Sequence, residues 1–471
     1  MATSVLTLEQ LPADVIVMVL QYLPVKDVFD CRLVCKRLCD LALHWDVWRH
    51  RSLEDDAPHA GAVLRLAPCL NKLQVKGRVP TTTTAATTTR CAVASLELYS
   101  DTGAVINAAE YALAVRNQEL LGRLRKLELN TDLRPASDVL VKAVAMCSNL
   151  ESLEIFDDLP DVSHTVVHGP PRPSLTNFRC SVDKNSASFA HIILALHAAT
   201  LEQVSISAVD DFAETRIPEL LVNLPRLRSL RYGLSLCGLN VVVECKTLRE
   251  VSIYVDSELE NIDVLSDFLR RANQLRRVHL DCGWVDEDSH PEVGAVLVRA
   301  LTWSGRSHSH LEWLALEGVT DVRPLLRALP SLPALRHLDL DAAPADELLK
   351  SITPVTAPAL RSLGVVAREE ACPHAWIHGA AVKATLAENP SLHIQLWCLR
   401  NIKKCETQDC GACVTGCHRE VRWGGGEKIG LYSHDPDKCP SPGVHTDDAT
   451  DWLRSYFHRY EVACTCTWYH I

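Results

Sequence analysis

A short pattern of the form Leu-x-x-Leu-x-Leu recurs along most of this chain, and no other feature limits its fold so tightly. It reads LNKLQV from Leu70, VASLEL from Val93, LRKLEL from Leu124, LESLEI from Leu150, LTNFRC from Leu175 and LEQVSI from Leu201. It continues as LRSLRY from Leu227, LREVSI from Leu248, LRRVHL from Leu275, LEWLAL from Leu311, LRHLDL from Leu335 and LRSLGV from Leu360, with a degenerate LHIQLW from Leu392. Alternation of this kind sends every second side chain of a short strand to the same face, and the chain between, for example DVLVKAVAMCSN at 138 to 149, has helical spacing. One such strand-and-helix unit cannot bury its apolar side, whereas stacked units can.

Successive starts lie 21 to 36 residues apart. Most intervals fall within the ~20 to 29 residues of leucine-rich repeats, which the motif resembles, and the longer ones read as loop insertions. The expected fold is α/β: a leucine-rich-repeat solenoid over 53–397, with a curved parallel sheet inside and helices outside. PTTTTAATTTR at 80–90 is a polar low-complexity stretch with no amphipathic face, read as a loop-like insert.

Repeats need a cap, and the N-terminal residues differ from all that follows. In LPADVIVMVLQYLPVKDVFDCRLVCKRL, residues 11 to 38, the longest uncharged apolar run is the six residues Val15–Leu20, far below the ~18 that a membrane span needs. Asp14 and Gln21 interrupt the apolar core that a secretory signal requires. Pro12, Ile16, Val19, Leu20 and Leu23 have helical spacing that stops at Pro24, a second segment begins near Asp27, and a third carries Leu33, Val34, Leu38, Leu41 and Ala42. Three short helices in about 40 residues are near the lower limit for an independent core, so apolar surface is left for a partner.

The order Leu11-Pro12, Ile16, Leu20, Leu23-Pro24, Asp27-Val28, Cys31, Leu33, Val34, Cys35, Arg37 and Trp48 resembles an F-box, here a three-helix unit within residues 1–52. That family docks substrate receptors of SCF-type cullin–RING ubiquitin ligases on a Skp-family adaptor. The resemblance implies adaptor contacts at Leu11, Pro12, Ile16, Leu20, Leu23, Leu33, Val34, Cys35 and Trp48, and through the adaptor a cullin. Ala13-Asp14 departs mildly from the family pattern, in which a polar residue and a glutamate are frequent. The alternative from the residues alone is a helical cap on the repeats, in a scaffold attached to no ligase.

Composition narrows the function further. A formal net charge of −11 argues against a dedicated nucleic-acid binder, which needs a basic surface to displace counterions from phosphates. The 19 cysteines are odd in number, and no Asn-x-Ser/Thr site occurs, so the thiols are read as mostly reduced and the protein as intracellular, in cytoplasm or nucleus. No Gly-x-Ser-x-Gly, His-Glu-x-x-His, kinase or P-loop signature is present, so the chain is expected to act by binding rather than by catalysis, without a cofactor.

Residues between the strand leucines point out from the sheet, where a solenoid presents its binding surface. From Arg277 to Asp339 this row gains large polar and aromatic groups, and Arg277, His279, Trp313, His337 and Asp339 are the candidate substrate-recognition residues. Trp313 is the most informative, because a tryptophan there needs a partner or an adjoining segment to cover it. Eight cysteines follow residue 397, within a cysteine-rich cap or tail at 398–471. CETQDCGACVTGCH holds Cys410-x-x-Cys413 and Cys417-His418, and Cys439, His445, Cys464 and Cys466 stand further on. Reduced structural thiols, a zinc site and a redox pair all remain open for this tail.

Overall fold

A computed structural model of the chain describes residues 11–76, 80–99, 108–130, 138–156, 172–183, 187–208, 216–233, 238–255, 262–282, 293–302, 310–319, 323–341, 345–366, 373–397, 428–439 and 466–471. Two compact units divide the chain, Met1–Leu227 and Arg228–Ile471. No helix of the described residues is long and apolar enough to cross a membrane.

The first unit begins with four short helices, α1 (Ala13–Tyr22), α2 (Val25–Arg32), α3 (Lys36–Ala42) and α4 (Trp45–Trp48). Pro12 and Pro24 precede α1 and α2, and Leu23 between them is extended, because the proline ring bars the residue before it from helical geometry. Leu33 and Val34 were expected within a third helix. They occupy the turn between α2 and α3 instead, and α3 starts only after Cys35, whose sulfur accepts the Leu38 N–H at 3.5 Å as an N-cap.

Strands β1 (Ser52–Glu54), β2 (Cys69–Val75), β3 (Ala92–Tyr99), β4 (Lys126–Asn130), β5 (Ser152–Ile155), β6 (Asn177–Val182) and β7 (Gln203–Ala208) then pair in chain order, every pair parallel. Helices α5 (Ala60–Leu66), α6 (Pro80–Thr88), α7 (Ala108–Leu121) and α8 (Asp138–Ala145) each follow one of the first four strands, α9 (Ala187–Leu196) lies between β6 and β7, and α10 (Ile217–Val222) follows β7. The threonine-rich stretch is therefore helical and not a loop. Pro80 opens α6, and Thr83 and Ala86, three residues apart, are buried where the helix packs between α5 and α7. Asn117 of α7 donates to the Ala86 and Thr89 carbonyls. Small side chains supply too little amphipathic contrast to signal this helix in sequence, yet they let the neighbouring helices approach closely.

The second unit continues the pattern with β8 (Ser229–Gly233), β9 (Glu250–Tyr254), β10 (Arg277–Asp281), β11 (Trp313–Glu317), β12 (His337–Leu340), β13 (Ser362–Val366) and β14 (His393–Trp397), again parallel and in chain order. Between them run α11 (Leu239–Val242), α12 (Ile262–Arg271), α13 (Val293–Thr302), α14 (Arg323–Ala328), α15 (Asp346–Ser351), α16 (Pro373–Ile377) and α17 (Ala380–Glu388). The tail then adds two strands. β15 (Lys428–Tyr432) lies antiparallel on β14, and β16 (Cys466–His470) lies parallel to β15.

Each unit is thus a solenoid-like stack of strand–helix repeats, and its core is the leucine pattern itself. Leu124, Leu201, Leu227, Leu248, Leu275 and Leu311 are fully buried at the first position of their motifs. Each such side chain contributes about 1.5–3 kcal/mol relative to exposure. A backbone device keeps the repeats in step: the carbonyl just before one strand accepts two N–H groups from the start of the next. Arg125 O takes Glu151 N and Ser152 N, Arg249 O takes Arg276 N and Arg277 N, and Glu312 O takes Arg336 N and His337 N, all at 2.7–3.0 Å. Register is fixed at the turn, so equivalent residues fall in straight rows across the sheet.

Candidate functional site

In the N-terminal helices, burial separates the residues implied by the F-box resemblance into two groups. Ile16, Leu20 and Trp48 are 4%, 2% and 0% exposed and pack the bundle. Trp48 Nε1 donates to the Ala42 carbonyl at 2.7 Å, Phe29 stacks against its ring at 5.6 Å, and Arg51 donates to Leu20 O at 2.7 Å. Leu11 and Leu23 are half-buried, and Pro12 and Cys35 are exposed. Leu33 is 81% and Val34 71% exposed.

Sequence reasoning missed Met18 and Tyr22, and it placed Val19 in the apolar helical series without marking it as exposed. The three project from one side of α1, with Tyr22 85% exposed. The signal was available in VIVMVL, because six consecutive apolar residues surround a helix and only one face of it can be buried against the bundle. An apolar helix side and an apolar Leu33-Val34 turn are left to solvent on a domain too small to need them.

The outward rows of the sheet are continuous within each unit. In the first, Glu97, Glu128 and Glu154 stand side by side on β3, β4 and β5. Lys72 meets Glu97 at 2.8 Å, Lys126 meets Glu154 at 2.9 Å, and the Tyr99 hydroxyl lies 3.2 Å from Glu97 and 3.0 Å from Glu128. Burial, then the neighbouring Glu97 charge, raises the Glu128 carboxyl above its ordinary range.

In the second unit the register brings together the candidate recognition residues. Arg277, Trp313 and His337 share one row across β10, β11 and β12, and His279, Ala315 and Asp339 share the next. Their exposure differs. Arg277 reaches solvent beside Glu250 at 3.1 Å, and His337 and Asp339 are half-buried. Trp313 is only 8% exposed, and its ring lies 6.4 Å from that of His279, itself 1% exposed.

His279 is clamped on both sides, Nδ1 2.9 Å from Ser252 Oγ and Nε2 2.8 Å from Glu317 Oε1. Serine, imidazole and carboxylate are the groups of a hydrolase triad, but Nε2 rather than Nδ1 meets the carboxylate, and Ser252 is 4% exposed. The arrangement ties β9, β10 and β11 together. Burial raises the Glu317 carboxyl, opposed by the His279 hydrogen bond, and burial with the nearby Arg277 and Arg336 lowers the His337 imidazole.

The thiols are dispersed. Cys31, Cys35, Cys39, Cys69, Cys91, Cys147, Cys180, Cys245 and Cys282 carry free sulfhydryls. Burial pushes Cys91, Cys147 and Cys282 up to about 12, which suppresses the thiolate and its reactivity. Of the tail residues, Cys398, Cys405, Cys410, Cys413, Cys417, His418, His445 and Cys464 lie outside the described residues. Cys439 and Cys466 are described, and Cys439 Sγ stands 3.4 Å from Nε2 of His393, a residue of β14.

No curated protein matches the chain. Among solved structures it resembles a chain of the crystal structure of the Rad7 and Elc1 complex in yeast, at 15% identity and a TM-score of 0.40, over 82% of this chain and 89% of that one. The F-box-like family model matches residues 8–54, the stretch that holds α1 to α4 and β1. Residues 8–54 are an F-box-like domain.

Proposed function

We propose that this chain is the substrate-recognition subunit of an SCF-type ubiquitin ligase, with the F-box-like domain bound to a Skp-family adaptor and leucine-rich repeats holding a protein substrate. The observation that supports it best is the apolar surface of the F-box-like domain: Leu33, Val34, Met18, Val19 and Tyr22 stand in solvent, while Ile16, Leu20 and Trp48 already complete the core. On this reading the exposed set is the adaptor contact, reached also by Leu11, Pro12, Leu23 and Cys35, and the three buried residues hold its shape.

The chain itself performs no chemistry in this role. Holding a substrate beside a ubiquitin-loaded conjugating enzyme turns a bimolecular encounter into a local one, which is where the rate is gained. The substrate would lie on the outward rows of the second unit, at Arg277, His337 and Asp339, with Trp313 and His279 as buried support. The proposed compartment is cytoplasm or nucleus, where such ligases work.

The test is co-expression of the full chain with a Skp-family adaptor, beside a Leu11→Ala, Pro12→Ala variant and a Leu33→Ser, Val34→Ser variant. Capture of the adaptor by the wild type and its loss in both variants is the expected result. A well-folded wild type that captures no adaptor would overturn the proposal and leave a repeat scaffold with a helical cap.

A further inference from the structure

We infer that His393, His434 and Cys439 form a zinc site that fastens the segment after β15 onto the end of the parallel stack. Three potential ligand atoms, one from each residue, lie within 4.8 Å of one another. They come from separate places in the chain. His393 begins β14, His434 follows β15 by two residues, and Cys439 follows the short 3-10 turn Pro436–Lys438.

The geometry of His393 is that of a metal-binding imidazole. Its Nδ1 is 3.1 Å from the Arg361 carbonyl oxygen, which can only accept, so Nδ1 carries the proton and donates. The lone pair is thereby left on Nε2, and Nε2 faces Cys439 Sγ at 3.4 Å. A backbone carbonyl that fixes the tautomer and ring direction of a ligating histidine is the usual outer support of such sites. In a tetrahedral zinc site with Zn–N near 2.0–2.1 Å and Zn–S near 2.3 Å, adjacent donors stand roughly 3.3–3.6 Å apart. The His393–Cys439 pair already has that separation. His434 supplies the third donor, with its ring centroid 4.8 Å from that of His393 and its ligand atom within 4.8 Å of the other two.

The surroundings favour capture of a metal. His393 is fully buried and His434 is 9% exposed. Trp468 packs edge-on against His393 at 5.6 Å, and the Tyr432 ring lies tilted beside that of His434 at 5.0 Å. These rings shield the donors from bulk solvent, which strengthens the attraction between a bound cation and its ligands. The donor set selects its class: two imidazoles and a thiolate suit a borderline-soft ion such as zinc, whereas calcium and magnesium require oxygen ligands. On binding, Cys439 gives up its thiol proton to solvent and ligates as thiolate, and the fourth position goes to water or another donor.

The inference does not depend on the ligase reading. Full-length protein is purified, passed over a chelating column, reconstituted with zinc sulfate and desalted, and its metal content is measured for wild type, His434→Ala, Cys439→Ser and a Cys39→Ser control. Wild type and control should retain about one zinc per chain more than either site variant. Because the variants could lose fold, the wild type is also alkylated with and without chelator, and the label on Cys439 is read by mass spectrometry. Protection of Cys439 that disappears on chelation is expected. Zinc content unchanged in both variants, no retained zinc in the wild type, or chelator-independent alkylation of Cys439 would each overturn the site.

Discussion

Replacing Leu33 and Val34 together by serine should separate binding from folding. Both side chains are largely in solvent in the free chain, at 81% and 71% exposure, so their removal takes nothing from the core. Unfolding of the first unit should shift by no more than about 0.5 kcal/mol, as for surface substitutions generally. In an adaptor complex the same side chains would be covered. Full burial of a leucine or valine is worth about 1.5–3 kcal/mol each, and the retained Cβ atoms reduce the joint loss to about 2–4 kcal/mol. At about 1.4 kcal/mol per decade this is a weakening of roughly 30- to 700-fold in Kd. Isothermal titration of the purified chain with a Skp-family adaptor reads the affinity, and thermal unfolding of the same samples reads the fold. A Kd within about threefold of wild type, at unchanged unfolding, would refute the assignment of this surface.

The remaining predictions concern packing within each unit. Trp48→Ala should cost about 3–5 kcal/mol and abolish cooperative unfolding of the F-box-like domain, because it deletes the largest ring of that core and its bond to Ala42; retention of a wild-type melting curve would contradict the packing. His197 is buried, accepts the backbone N–H groups of Ser174 and Leu175 on Nδ1, and has its pKa lowered from 6.5 to about 4 by burial. Its folded pKa lies below its unfolded one, so the stability of its neutral form is present above the unfolded value and is lost as pH falls from 6.5 toward 4, with a slope up to about 1.4 kcal/mol per pH unit. His197→Gln keeps an acceptor but does not titrate, and denaturant melts across this window should show a flatter dependence. A Cβ added at Gly430 would run into the Trp468 ring, so Gly430→Ala should displace that ring, altering its near-ultraviolet dichroism and exposing β16 to protease. An unchanged spectrum would count against that contact.

Much of the architecture was legible because the leucine motif combines a period of two inside each strand with a longer period between strands. Where side chains were small or the pattern broke, reading failed. Thr83 and Ala86 gave no amphipathic contrast, and α6 was read as a loop. Leu33 and Val34 were placed in a helix because apolar residues usually continue one, whereas Cys35 caps α3 from outside and leaves them in a turn. Strands β15 and β16 escaped notice because KIGLY and CTWYH lack the leucine motif.

For the candidate sites the division is similar. Position in a motif put Arg277, His279, Trp313, His337 and Asp339 in a single outward row, whereas the parallel register divides them between two adjacent rows. It could not tell that Trp313 and His279 are buried while Arg277 reaches solvent, since exposure depends on what packs above the strand. Nor could spacing along the cysteine-rich tail point to His393, which lies 46 residues before its sulfur neighbour Cys439 and belongs to the last parallel strand.

By itself, then, the sequence determined the repeat, the direction of each strand's side chains and the presence of an F-box-like unit, since these follow from local periodicity and from residue order within a short segment. Tertiary structure alone decided which apolar residues of that unit stay in solvent, which rows of the sheet are covered and which distant donors meet around Cys439. Those outcomes depend on through-space packing between residues far apart in the chain, and local periodicity carries no information about it.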